Sequence, residues 1–223
     1  MNNDVEPLKY SKYATYILPP QLMLSQNAAF INDTTIISSG GLTKGLVAFT
    51  NTNSDKSEYI NPLKYDLEEL NEKEKGYLFE SVVAVNADKK LIAIAPRFVP
   101  ELFIINFDGE LISSYALPEN FDLNQFDDIA NKKGIFYGVA ATDEYIYVAH
   151  VGKTLNEMSA IIEEEDYNDV NFTNLYLFDW EGEFIESYQL LGGSYRSIYV
   201  DEVNNRVFSL DLLTSSIVYI ELE

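Results

Sequence analysis

One stretch of this chain is written twice. Leu102 to Pro118 (LFIINFDGELISSYALP) lies over Leu175 to Leu191 (LYLFDWEGEFIESYQLL), with seven of 17 positions identical and most others exchanging one aromatic or aliphatic residue for another. Each copy reads as strand, Asp-Gly or Glu-Gly turn, strand. Glycine supplies the positive φ that a tight hairpin of matching twist requires. A second hairpin pattern precedes each copy. Val82 to Pro96 turns at Asn86-Ala87-Asp88-Lys89, and Tyr137 to Val151 turns at Thr142-Asp143-Glu144. The same pattern recurs at Ala28 to Ser38 and at Ile198 to Asp211, so the turns centre near 33, 88, 143 and 204. Two hairpins per interval give four antiparallel strands, and a four-stranded unit recurring along the chain is the mark of a β-propeller blade. A β-sandwich is the alternative, but it offers no reason for a repeated four-strand unit.

The expected fold is therefore all-β: a propeller of four-stranded antiparallel blades, at least four of them visible, alone or within a five- or six-bladed ring. The last unit ends after three strands, 196–201, 206–211 and 216–222. Thr15-Tyr16-Ile17-Leu18-Pro19 resembles Ser114-Tyr115-Ala116-Leu117-Pro118, the end of a fourth strand. The N-terminal segment is thus expected to add the missing strand to the last blade, which would also hide an edge prone to pairing with other chains. We expect one domain over 1–223, with extra strands or a short helix in the linkers 62–79 and 118–133. An acidic insertion at 152–172 interrupts the repeat. Leu155, Met158, Ile161 and Ile162 in it follow a helical period, so a short helix and an acidic loop are expected there, as a solvated appendage or a lid.

Composition narrows the function classes. With 36 Asp and Glu against 15 Lys and Arg, the net charge is −21. Phosphate backbones and anionic membranes both demand a basic stripe, so nucleic acid and acidic lipid surfaces are not expected partners. There is no cysteine and a single histidine, His150. Thiolate chemistry and His/Cys metal sites are excluded by count, and no Gly-x-Ser-x-Gly elbow is present. The run Glu163-Glu164-Glu165-Asp166 lacks the spaced acids and turn glycine of a calcium loop. No cofactor and no metal are expected. No apolar run approaches the ~20 residues of a spanning helix, and Met1 to Glu6 has neither the basic nor the apolar region of a signal peptide.

The C-terminal half resembles the TolB-like six-bladed propeller family of Bacteroidetes. The likeness rests on Phe178-Asp179-Trp180-Glu181-Gly182 with Tyr188-Gln189-Leu190, on Ser197 to Leu210, and on the closing Ile217-Val218-Tyr219-Ile220. That resemblance implies a propeller fold and an extracytoplasmic setting, since such proteins are mostly exported lipoproteins. The absence of a leader in this chain leaves a cytoplasmic setting open. It implies no catalytic residues.

In a propeller, the loops leaving second strands and entering first strands converge on one face. Here they carry Arg97, His150, Lys153, Tyr195 and Arg196, two of the three arginines in an acidic chain. Arginine suits bidentate recognition of carboxylate or phosphate; equally, both arginines can pair with neighbouring acids. The leading expectation is a non-enzymatic binding or scaffolding propeller that takes a protein or glycan ligand on this face. The alternative is a hydrolase or lyase acting on carbohydrate or peptide through channel-facing carboxylates and His150. Trp180, at the position of Phe107, is expected to pack within the hairpin rather than stack on a sugar.

Overall fold

Strand segments in this chain are apolar on both faces. Leu91-Ile92-Ala93-Ile94-Ala95 and Leu102-Phe103-Ile104-Ile105 carry almost no polar side chain. Such a strand can be stable only inside a stack of sheets. The computed structural model describes residues 27–118, 121, 131–163, 171–191, 195–211 and 216–222, and it shows that stack. Strands β1 (Asn27–Asn32), β2 (Thr35–Ser39), β3 (Val47–Asn51) and β4 (Lys56–Ile60) form blade 1. Helix α1 (Glu72–Leu78) then leads into blade 2, made of β5 (Ser81–Asn86), β6 (Leu91–Pro96), β7 (Glu101–Asn106) and β8 (Leu111–Ala116). Blade 3 holds β9 (Lys133–Ala141), β10 (Tyr145–Thr154), β11 (Asn171–Asp179) and β12 (Phe184–Leu191), with helix α2 (Leu155–Glu163) between its second and third strands. Blade 4 has three strands among the described residues: β13 (Tyr195–Asp201), β14 (Arg206–Asp211) and β15 (Ser216–Glu221). Every pairing is antiparallel and between chain neighbours. The inner strands β1, β5, β9 and β13 adjoin in that order, as in a propeller.

The period-two alternation sends successive residues to opposite seams. Ile92, Ile94, Phe103 and Ile105 of blade 2 pack with Ile31, Ile37 and Val47 of blade 1. The intervening Ala93, Leu102 and Ile104 pack with Phe136, Ile146, Val148, Phe178 and Trp180 of blade 3. Tyr147, Leu175 and Leu177 of blade 3 then meet Val207, Ile198, Val200, Val218 and Ile220 of blade 4. Among the described residues the main core thus lies in three seams between successive blades.

The duplicated hairpin is explained by one of these seams. Gly109 and Gly182 lie at φ +83° and +86°. A Cβ at Gly109 would come 2.7 Å from Ile60 of blade 1, and one at Gly182 would come 2.7 Å from Ser113 of blade 2. Each turn therefore tucks against the outer strand of the preceding blade, and glycine is needed both for conformation and for room. Asn106 and Asp179 hold the two turns alike, each accepting from two backbone N–H groups at 2.8–3.0 Å. Trp180 is buried, as expected, and its indole N–H donates to the Thr142 carbonyl at 3.1 Å. The Asn86 side chain donates to that same oxygen at 3.3 Å, which links blades 2 and 3.

The first linker holds a helix rather than extra strands, and a helix opens the insertion as its period predicts. The linker helix α1 is capped by Asn71, whose side chain accepts from the backbone of Lys73 and Glu74 at 2.9 and 3.0 Å, while Glu74 accepts from the Asn71 N–H at 2.7 Å. Helix α2 begins on a Thr154/Glu157 box of the same kind. Met158 of α2 is buried with Tyr137 and Val151, so the start of the insertion packs on blade 3 rather than floating in solvent. The N-terminal closing strand expected at Thr15–Pro19 and the acidic residues 164–170 lie outside the described residues.

Candidate functional site

The ends of the second strands and the starts of the inner strands share one face. On it, Arg97 follows β6. Its backbone N–H donates to the Glu80 carbonyl at 2.7 Å, and its own carbonyl accepts from the Ile135 N–H at 2.6 Å. The residue is therefore laced between the entry to blade 2 and the inner strand of blade 3. Its guanidinium pairs with the Glu80 carboxylate, with the Tyr137 ring centroid 4.6 Å and the Phe98 centroid 5.3 Å away. Burial pulls the guanidinium toward the neutral form, but Tyr137 and Glu80 outweigh it and raise the pKa above the ordinary arginine value. Arg97 thus takes the ion-pair role the sequence allowed it, and its charge is already engaged from one side.

His150 sits deeper. It is 6% exposed, stacked on Tyr176 at 4.8 Å and 18°, and set edge-on to Phe136 at 6.2 Å. A Cβ at Gly152 would come 2.9 Å from its Cε1, so the chain turns away over the imidazole at φ +65°. Lys153 is half-buried and lies across from Gly134 in the β9–β10 ladder. Tyr195 and Arg196 open β13, the inner strand beside β9; their side chains lie outside the description. Arg97 and Lys153 thus flank the start of β9 from its two sides, while His150 is sealed into blade 3 one step below.

The same face carries an opening that none of these five residues lines. A cleft of about 300 Å³ is lined by Gly41, Lys73, Gly76, Tyr77 and Glu80. Gly41 belongs to the loop after β2, the next three to α1, and Glu80 to the entry of β5. Helix α1 is held over that loop, with Gly76 facing Thr43, and Tyr77 meets Phe98 edge to face at 6.4 Å. The Lys73 ammonium lies 5.9 Å from the Tyr77 ring centroid. Glu80, in the lining, is the carboxylate that Arg97 holds. The cleft therefore offers one aromatic ring, one ammonium, one carboxylate held by Arg97 and two glycines in its lining. That set can hold a small polar ligand with an apolar face. The signal that could have found it is the capping box Asn71-Glu72-Lys73-Glu74, which announces a helix start in the middle of a linker.

Among the described residues two carboxylates are displaced, and both move downward. Glu157 is lowered chiefly by the Thr154 N–H, and Asp201 chiefly by the Asn204 side chain. Neither has the raised value a general acid needs. Among the described residues there is no group of three or more His, Cys, Asp or Glu side chains placed to hold a metal ion, and no helix long and apolar enough to cross a membrane.

Comparison with known proteins agrees with this architecture. The chain aligns with hydrazine synthase of Kuenenia stuttgartiensis at 10% identity and TM-score 0.56, over 95% of this chain and 49% of the other. It aligns with the WD40 domain of Toxoplasma gondii coronin at 13% identity and TM-score 0.50, over 87% and 42%. BamB of Moraxella catarrhalis aligns at 10% identity and TM-score 0.49, again over 87% and 42%. This chain spans less than half the length of each of these, and at such identities the likeness concerns the fold alone. Among curated proteins no sequence relative matches. The family model described as TolB-like 6-blade propeller-like matches residues 16–203, most of the chain. With four antiparallel sheets among its described residues and that match over most of its length, this chain belongs to the TolB-like 6-blade propeller-like family.

Proposed function

We propose that this chain is a non-enzymatic propeller, a single domain over 1–223, that binds or scaffolds a protein or glycan ligand on its loop-rich face. The observation that carries the reading is the cleft between α1 and the loop after β2, where Lys73, Tyr77 and Glu80 converge. A rigid stack of sheets presents loops with little motion of its own, and function in such folds resides in what the loops offer. An aromatic wall beside an ammonium and a carboxylate suits the mixed polar and apolar surface of a sugar or a short peptide. Arg97, which pairs with Glu80 in this arrangement, also lies against Tyr137, on which the start of the acidic insertion packs. The family resemblance also supports an extracytoplasmic setting, which fractionation of the native host would test.

Thermal-shift screening against glycans and short peptides tests the ligand reading directly. A hit whose stabilisation disappears in Lys73→Ala, an outward-facing helix residue, supports it. A hit retained in Lys73→Ala and also in the Arg97→Ala/Arg196→Ala variant rejects this face.

A further inference from the structure

Helix α1 carries a glycine that its own packing does not require. Glycine inside a helix is less stable than alanine there. A Cβ on Gly76 would meet nothing nearer than Thr43 Cγ2 at 4.0 Å, an ordinary contact. Thr43 belongs to the loop after β2, so the space that a side chain at 76 would enter is the cleft between that loop and the helix. Gly41, at φ +68°, lines the same cleft from the loop. Two positions without side chains thus border a volume of about 300 Å³. That is the lower end of the range for ligand pockets, room for about two sugar rings rather than for a length of peptide.

Charge selects the occupant. Around the cleft, Glu80 pairs with Arg97, Glu72 pairs with Lys75 at 4.0 Å, and Glu74 accepts from the Asn71 N–H at 2.7 Å. The Lys73 ammonium has no carboxylate partner among the described residues; it lies 5.9 Å from the Tyr77 ring centroid. The Tyr77 hydroxyl and the Gly41 N–H likewise have no hydrogen-bond partner among the described residues. The uncommitted groups of the lining are therefore donors, one of them charged, beside an aromatic ring. Such donors take an anion, and the ring takes an apolar C–H face. A uronic acid carries a carboxylate, hydroxyls and a C–H face on one ring, whereas a peptide has to bring them from separate side chains. We infer, taking the cleft as the binding site proposed above, that its ligand is an acidic glycan held through a uronic acid residue. The carboxylate meets Lys73, the C–H face lies on Tyr77, and the ring hydroxyls reach the Tyr77 hydroxyl. The rest of this acidic surface acts through salt that screens it within about 8 Å at physiological ionic strength, so the contact with Lys73 sets the sign.

The test is isothermal titration calorimetry of the full chain against trisaccharides of galacturonate, glucuronate and mannuronate. Each is run beside its methyl ester, which keeps the ring and its hydroxyls and loses the charge. At least one acid is expected to bind, about tenfold more tightly than its ester. Lys73→Gln is expected to bring that acid down to the level of its ester and to leave the ester unchanged, and Lys73→Arg to keep the preference. Gly76→Leu, which fills the cleft, is expected to abolish binding of both. Equal binding of acid and ester to the unaltered chain overturns the inference. So does a preference that survives Lys73→Gln, or binding that survives Gly76→Leu. A several-degree fall of Tm in the milder Gly76→Ala also overturns it, by showing that the chain itself uses that space. Neutral trisaccharides and short peptides titrated alongside separate this inference from the function it rests on. If one of them binds and is lost in Gly76→Leu while no acid binds, the ligand class is wrong and the cleft remains the site. If nothing binds, both fall.

Discussion

Blades 2 and 4 are built to the same pattern and end in different environments. In blade 2, strand β6 is buried from Ile92 to Pro96 because a neighbouring blade covers each side. In blade 4, strand β14 alternates between buried Val207, Ser209 and Asp211 and more open Phe208 and Leu210. The residues on the open side are as apolar as those on the covered one. A strand's composition therefore does not report its own burial in this fold; its place in the stack does. Period-two alternation says that two sides exist, and only the neighbours say which side is solvated.

That difference can be tested by removing bulk from a covered seam. Phe103 lies in the seam between blades 1 and 2, 1% exposed. Phe103→Ala is expected to cost about 3–5 kcal/mol through lost burial and the cavity left behind. Urea unfolding followed by the emission of Trp180, the only tryptophan, measures it. A loss under about 1 kcal/mol would mean the seam is no better packed than the open side of blade 4.

The hairpin that tucks each blade against the one before sharpens the comparison further. Gly182→Ala places an L side chain at φ +86° with a Cβ 2.7 Å from Ser113 Oγ. The left-handed conformation alone costs roughly 1–2 kcal/mol, and the hydroxyl must also swing aside. The loss in denaturation midpoint should be smaller than that of Phe103→Ala. An unchanged midpoint would show that the turn relaxes away from blade 2.

The smallest expected effect is electrostatic and confined to the insertion. Glu157 accepts from the Thr154 N–H at 2.7 Å, and its folded pKa lies below the ordinary glutamate value. Its contribution is present above the unfolded pKa and is lost as pH falls through the depressed folded value. Helix α2 should therefore loosen on acidification before the blades do, as read by amide exchange in residues 155–163. Glu157→Gln should remove that pH dependence while keeping part of the cap. Identical exchange profiles for the two proteins would rule the capping role out.

Much of the fold was legible. The turn positions, the strand pairs and the helix at Leu155–Glu163 follow from alternation, turn chemistry and helical period. The duplicated hairpin could be read because it obeys a steric demand that recurs at each seam, where Gly109 and Gly182 approach the preceding blade. The candidate site was less legible. The loop face drew attention to Arg97, His150 and Lys153, yet Arg97 is committed to Glu80 and His150 is stacked on Tyr176. The cleft residues Lys73, Tyr77 and Glu80 are distant in sequence from those three. They come together only because α1 closes over the loop at Gly41, a tertiary event without a periodic signature.

The lacing at position 97 has a consequence for how such a face can change. Both main-chain groups of that residue are tied to its neighbours, to Glu80 on one side and Ile135 on the other. Neither tie involves the guanidinium. The loop's location is thus a property of the backbone, while the chemistry it displays belongs to a side chain that can be exchanged. Over generations, specificity at this rim can drift by single substitutions while the frame beneath it stays in register.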